Sequence, residues 1–296
     1  MKRGRRRSLF WERSAMRVLI WLLLCCLAPW AQGQGLSIRY ALVSGEQDPH
    51  LPYMQALLQL ACGEAKLSCE LSSALDMNQG RALEQMAHGD AGVDLFWGMS
   101  SREREQKALP VRIPLYKGLI GWRVPLVSQK RARLFEKVFT LADLKALSAG
   151  QGQDWPDTQI LRGAGLPVVA SPLYLPLFAM LRQGRFDYFP RSVIEVGQEL
   201  ESDAAKGLAL DSYVVLHYPA AFYFFVSPRR PELARALTQG LEVAIKDGSF
   251  DKLFLRFNGP RLRALNLAQR RIIELPNPLL PKETPLQRKE LWFYPR

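Results

Sequence analysis

From residue 36 to residue 226, short apolar runs alternate with stretches of helical period, and the alternation pauses once and then restarts. This pattern narrows the fold more than any other feature. A strand, an amphipathic helix and another strand bury one another only as a sheet covered by helices. Residues 36–43 read as a strand. Tyr53, Ala56, Leu57, Leu60 and Ala61 fall at helical spacing. Residues 67–71 read as a strand, 80–88 as a helix with Leu83, Met86 and Ala87 on one face, and 93–97 and 119–124 as buried strands. The order βαβαβ predicts parallel pairing. Near residue 140 the pattern begins again, with strands at 147–151, 166–170, 186–189, 214–217 and 221–226 and helices at 156–162, 174–182 and 193–201. A long helix follows Pro231, with Leu233, Leu237, Leu241 and Ile245 on one stripe and Gly248 at its end. Phe250, Leu253, Phe254 and Phe257 mark a second amphipathic helix. The last 21 residues hold five prolines and read as an extended tail.

The N-terminal residues read differently. Seven basic groups (Lys2, Arg3, Arg5, Arg6, Arg7, Arg13, Arg17) and one acid, Glu12, precede or flank an apolar run at 18–27, followed by Ala28-Pro-Trp-Ala-Gln-Gly33. This is the order of a secretory signal. The run is too short for a comfortable span of roughly 20 residues. Cleavage after Ala31 or Gly33 is expected, with Met16 an alternative start and an uncleaved anchor the competing reading. Leu24 precedes Cys25, where a lipidated cysteine normally follows a small residue. The net charge of +12 divides into +6 before residue 34 and +6 after it, where 33 bases face 27 acids. The body of the chain is therefore only mildly basic, and a nucleic-acid partner is not expected. Removing the leader leaves two cysteines, Cys62 and Cys69, which either pair or stay as buried thiols. His50, His88 and His217 are scattered, so no metal site is expected. No cofactor motif is present, nor a Gly-x-Ser-x-Gly elbow or phosphate loop.

Two α/β units with C-terminal helices, in an exported chain, suggest a two-lobed binder, and specific residues sharpen this. Asp94-Leu-Phe-Trp-Gly-Met-Ser-Ser-Arg-Glu-Arg104 precedes Pro114-Leu-Tyr116. A helix ending Leu83-Glu-Gln-Met-Ala-His-Gly89 comes before Val93-Asp94. Leu141-Ala-Asp-Leu144 is followed by Ala149-Gly-Gln-Gly-Gln-Asp154, and later by Gln183-Gly184-x-x-Asp187. In order and spacing, residues 36–258 resemble the family 3 periplasmic solute-binding proteins, the polar amino-acid receptors of ABC importers.

The resemblance implies an α/β, two-lobed type II fold with two crossing strands near 121–124 and 222–225. With the leader at 1–33 and the tail at 276–296 set apart, it implies a first lobe from 34–122 plus 225–275 and a second lobe at 123–224. Ser101-x-x-Arg104 sits where the family places the arginine that forks onto a ligand carboxylate. Arg104 is thus the ligand candidate, against the alternative of a solvated arginine in a charge run. Ser101 is either a further donor or a helix cap. Tyr116, Gln153 and Trp155 are candidate cleft walls, and Trp97 and Trp155 are equally candidates for the core. Gln151-Gly-Gln-Asp-Trp155 opens a helix, whose free N–H groups suit an anion.

One departure stands out. Arg191 stands near where the family has an acid for the ligand ammonium, with Glu195 one turn on. An arginine there suits a second anionic group. The expected function is binding of a small carboxylate-bearing solute by a monomer, for an ABC permease or a membrane sensor, without catalysis. Two alternatives stay open. One is a dehydratase-like enzyme using Glu195 or Asp187. The other is an interaction protein whose tail, with Trp292, Phe293 and Tyr294, docks a partner or wraps the first lobe.

Overall fold

The computed structural model describes residues 35–42, 48–89 and 92–294. The leader, its cleavage site and the Cys25 question lie outside the described residues. Strand β1 (Leu36–Leu42) leads to helix α1 (Leu51–Glu64), β2 (Cys69–Asp76), α2 (Gln79–His88), β3 (Leu95–Met99), α3 (Arg102–Lys107) and β4 (Leu109–Val111). The second sheet begins at β5 (Trp122–Ser128). It continues through α4 (Leu141–Leu144), β6 (Ala149–Gly152), α5 (Pro156–Gly163), β7 (Val168–Ser171), α6 (Tyr174–Arg182), β8 (Phe189–Ser192), α7 (Val196–Leu200), β9 (Leu208–Leu210) and β10 (Val214–His217). Then come β11 (Phe222–Val226), α8 (Pro231–Asp247), α9 (Ser249–Ala264) and β12 (Arg271–Glu274).

The first sheet has the order β2-β1-β3-β11-β4. β1 runs parallel to β2 and β3, as the βαβαβ pattern predicts, and β11 enters antiparallel between β3 and β4. The second has the order β12-β10-β5-β8 with β9 beside β5, and β6 and β7 form a separate parallel pair. Its central strand β5 is antiparallel to β10, β8 and β9.

Helix α1 buries Tyr53, Met54, Leu57, Leu58, Ala61 and Cys62. Its close packing on α8 depends on Gly240, where a Cβ would lie 1.8 Å from the Ala61 carbonyl oxygen. Cys62 and Cys69 form a disulfide from α1 to the start of β2. The bridge closes a short loop, so replacing both cysteines by serine is expected to cost about 2–3 kcal/mol by chain entropy. Urea unfolding checks this, and an unchanged midpoint would assign the bridge no stabilising role.

The lobe boundaries shift from the expected ones. Trp122 already belongs to the second sheet, and all of β11 belongs to the first, including 222–224. Residues 271–275, placed with the first lobe by sequence, instead join the second. β12 lies parallel to β10, from Val214 opposite Arg271 to His217 opposite Glu274. Burial of Ile273 and three bonds from the Arg271 guanidinium to the carbonyls of Phe135, Glu136 and Val138 hold it there. The chain crosses between sheets at Gly121–Trp122, within the first expected crossing, and again between Tyr218 and Phe222, ahead of the expected 222–225, because all of β11 lies in the first sheet. The C-terminal segment adds two more, out to β12 and back.

The tail returns over the first lobe. Leu291 is fully buried, the Phe293 N–H bonds to the Lys117 carbonyl, and Phe293 packs on Phe254. Trp292 lies against Gly118, and Arg288 forks onto Glu242. Trp292 and Phe293 thus cover their own lobe, while Tyr294 is exposed.

Candidate functional site

Ser101 caps α3, its Oγ accepting the Arg104 N–H at 3.3 Å. Capping turns Arg104 inward rather than into the charge run around it, and only 5% of the residue is exposed. Its Nη1 donates to the Met99 carbonyl at 3.1 Å and its Nη2 to the Asp154 carbonyl at 3.0 Å. Met99 belongs to the first lobe and Asp154 to the second, so one side chain ties the two. The guanidinium fits because residue 98 is glycine: a Cβ there would lie 2.8 Å from Nη1. Asp154 makes a second tie, Oδ2 accepting the Gly80 N–H at 2.8 Å. Burial pulls Arg104 down to about 10 against the charges of Asp154, Asp157 and Glu103. Among the described residues it has no ion-pair partner. It lines a recess of about 310 Å³ together with Ser101, Gln153, Trp155 and Gln159.

A second cavity lies deeper between the lobes and holds only about 50 Å³. Its wall is a network of charges that satisfy one another. Glu195 Oε1 meets His50 Nε2 at 3.0 Å, and Oε2 accepts from Arg123 Nη1 at 3.1 Å and from the Ser192 N–H at 3.0 Å. Arg191 Nη2 lies 3.1 Å from the same oxygen. Arg123 Nη2 pairs with Asp157 at 2.8 Å, and the Tyr218 hydroxyl donates to Asp157. Arg191 forks onto Glu199 at 2.6 and 2.9 Å. Its guanidinium carbon stands 4.9 Å from the Trp155 ring and 4.8 Å from Phe189. His50 Nδ1 meets the Tyr116 hydroxyl at 2.8 Å, and Asp48 accepts from the His50 N–H and from Trp97 Nε1.

These contacts set the protonation states. Burial alone would raise Glu195, but Arg191, the His50 bond and Arg123 outweigh it and hold the carboxyl far below its ordinary range. Burial alone would lower His50, and Glu195 and Asp48 reverse that and raise it. Asp48 itself is raised, chiefly by burial.

The six residues singled out by sequence are therefore distributed over three places. Ser101, Arg104, Gln153 and Trp155 meet at the outer recess, and Trp155 also lines the inner cavity beside Trp97 and Arg191. Tyr116 stands behind His50 and holds its ring. Contrary to the expectation that Arg191 suits a second anionic group of a ligand, Glu199 and Glu195 occupy its guanidinium. Asp187 lies away from both recesses, accepting from Ser148 and Arg131. Sequence reasoning passed over Asp48, His50, Arg123, Asp157 and Glu199. Arg123 had a signal: a charge inside a run read as a buried strand requires a partner.

Solved structures share this architecture at low sequence identity. An ancestral arginine-binding protein bound to arginine superposes with a TM-score of 0.57 at 15% identity, over 75% of this chain and 97% of that one. A Salmonella typhimurium periplasmic binding protein described for its high arginine specificity gives 0.56 at 16%, over 76% and 100%. A histidine kinase sensor domain similar to periplasmic binding proteins gives 0.56 at 14%, over 76% and 96%. The fold is that of the type II periplasmic binding proteins. In that fold the two recesses lie between the lobes. No protein-family model and no curated protein matches the chain. Among the described residues no helix is long and apolar enough to cross a membrane, and no group of three His, Cys, Asp or Glu could hold a metal ion.

Proposed function

We propose that this chain is an exported binding protein that takes a small carboxylate-bearing solute between its lobes and presents it to an ABC permease or a membrane sensor. One observation carries the reading. Arg123 and Arg191 each have carboxylates of their own, whereas the Arg104 guanidinium is also buried and donates only to two backbone carbonyls, beside the Phe96 ring. A buried cation without a counterion gains most from a ligand carboxylate, because it has already lost its water. The recess beside it, at about 310 Å³, is at the lower end of the range for small-molecule sites. Ser101, Gln153 and Gln159 supply polar groups around it and Trp155 an apolar wall.

The test is thermal unfolding of the purified chain against amino acids, dicarboxylates and other small acids. A solute at one hundred times its Kd adds about 2.7 kcal/mol, or a rise of roughly 5–10 °C for a chain of this size. Arg104→Ala should abolish the rise. A second reading, a partner-binding protein whose cleft stays shut, is favoured by the two ties at Asp154 and by the small self-neutralised inner cavity. A folded chain that no acid stabilises would select it.

A further inference from the structure

On the far side of His50 a crevice of about 520 Å³ opens between the lobes. Its accessible apolar surface comes from the half-buried Pro49 and Phe257 and the exposed Pro52 and Pro260, over Tyr53, Tyr116 and Ile194, which are at most 5% exposed. Its rim carries Arg256 and Arg261, both from α9. The two tyrosine hydroxyls are already committed, Tyr53 donating to the Leu115 carbonyl and Tyr116 meeting His50. The apolar surface therefore offers the Phe257 ring and three prolines rather than hydrogen-bonding groups. The rim is different. Neither guanidinium has an ion-pair partner among the described residues, and the only carboxylate lining the crevice is the exposed Glu201. The Arg256 guanidinium carbon stands 5.8 Å from the Phe257 ring. Arg261 extends over Gly197 at the start of α7, so it reaches from the first lobe onto the second.

An apolar floor under two cations fits a flat apolar body that ends in an acid. Such a body stacks on rings, and its acid group finds two forked donors. We propose that this crevice is a second binding site, for small aryl acids, with the acid group on Arg256 and Arg261 and the body on Phe257 and the prolines beside it. It shares no residue with the recess at Arg104, and it stands whether or not that recess takes a solute.

Calorimetric titration of the purified chain with 2-naphthoate tests it, with uncharged 2-naphthamide as the control. Saturable binding of the acid is expected, with the amide at least about tenfold weaker. The double variant Arg256→Gln/Arg261→Gln should weaken the acid by a similar factor and leave the melting temperature unchanged, since Arg256 is exposed and Arg261 is half-buried. The proposal is overturned by absence of binding at millimolar acid, by equal binding of the amide, or by full binding in the double variant.

Discussion

Replacing Arg191 by methionine is expected to lower the unfolding free energy by about 3–5 kcal/mol, the usual cost of leaving a buried partner charge uncompensated. The residue is 3% exposed and makes three hydrogen bonds to Glu199, and it also lies beside Glu195. Methionine restores most of the volume and none of the charge, leaving Glu199 without a counterion in a setting walled by Trp155, Tyr174 and Phe189. Adding Glu199→Gln should recover part of the loss, because the stranded charge is then gone and only packing and hydrogen bonds remain to be counted. The double-mutant cycle in urea isolates the pair. Added salt should change little, because the pair is buried. A loss under about 1 kcal/mol would mean that the cluster behaves as a solvated surface pair and that Arg191 is free to meet a ligand after all.

That outcome bears on what the sequence could reveal. The element types were legible because their periods are long. Helix α8 shows four leucine and isoleucine positions on one stripe with a proline before and a glycine after, and α6 has its observed bounds in the sequence pattern. β12 was not legible. It is four residues long, starts inside the basic pair Arg270-Arg271, and is fixed by contacts to β10 and to carbonyls more than 130 residues away. The strand read at 186–189 lies three residues further on, at Phe189–Ser192, because its register is set by β5 rather than by its own pattern. At the site, Ser101 and Arg104 could be found because their spacing is local. The network of His50, Arg123, Asp157 and Glu195 could not. Its members are separated by up to 145 residues, and whether an arginine faces a ligand or a glutamate depends on what the fold brings opposite it.

The glutamate at the centre of that network gives the other large effect. Glu195→Gln is expected to cost about 3 kcal/mol near neutral pH, the low end of the range for a broken buried pair. Arg123 keeps Asp157 and Arg191 keeps Glu199, and the amide oxygen still accepts the Ser192 N–H. The pH dependence separates charge from shape. Glu195 is depressed in the folded chain, so its contribution is complete above its ordinary 4.5 and fades as pH falls toward the folded value. His50 is raised, so its contribution is complete below its ordinary 6.5 and is lost as pH rises through the folded value. Asp48 is raised above its ordinary 3.8, so its ionisation also costs stability as pH rises. The unaltered chain should therefore be most stable between the two limbs, in mildly acidic solution. In Glu195→Gln the acid limb of this residue disappears, and the gap between variant and parent should narrow as pH is lowered below 4.5. The His50 pKa should fall as well, because its bond to Glu195 is gone while burial and the charge of Arg191 still oppose its protonated form. Proton NMR of the imidazole reads that shift directly. A gap that stays constant through the acid range, with an unmoved His50, would assign Glu195 a packing role and leave the cavity's arginines without their counterion.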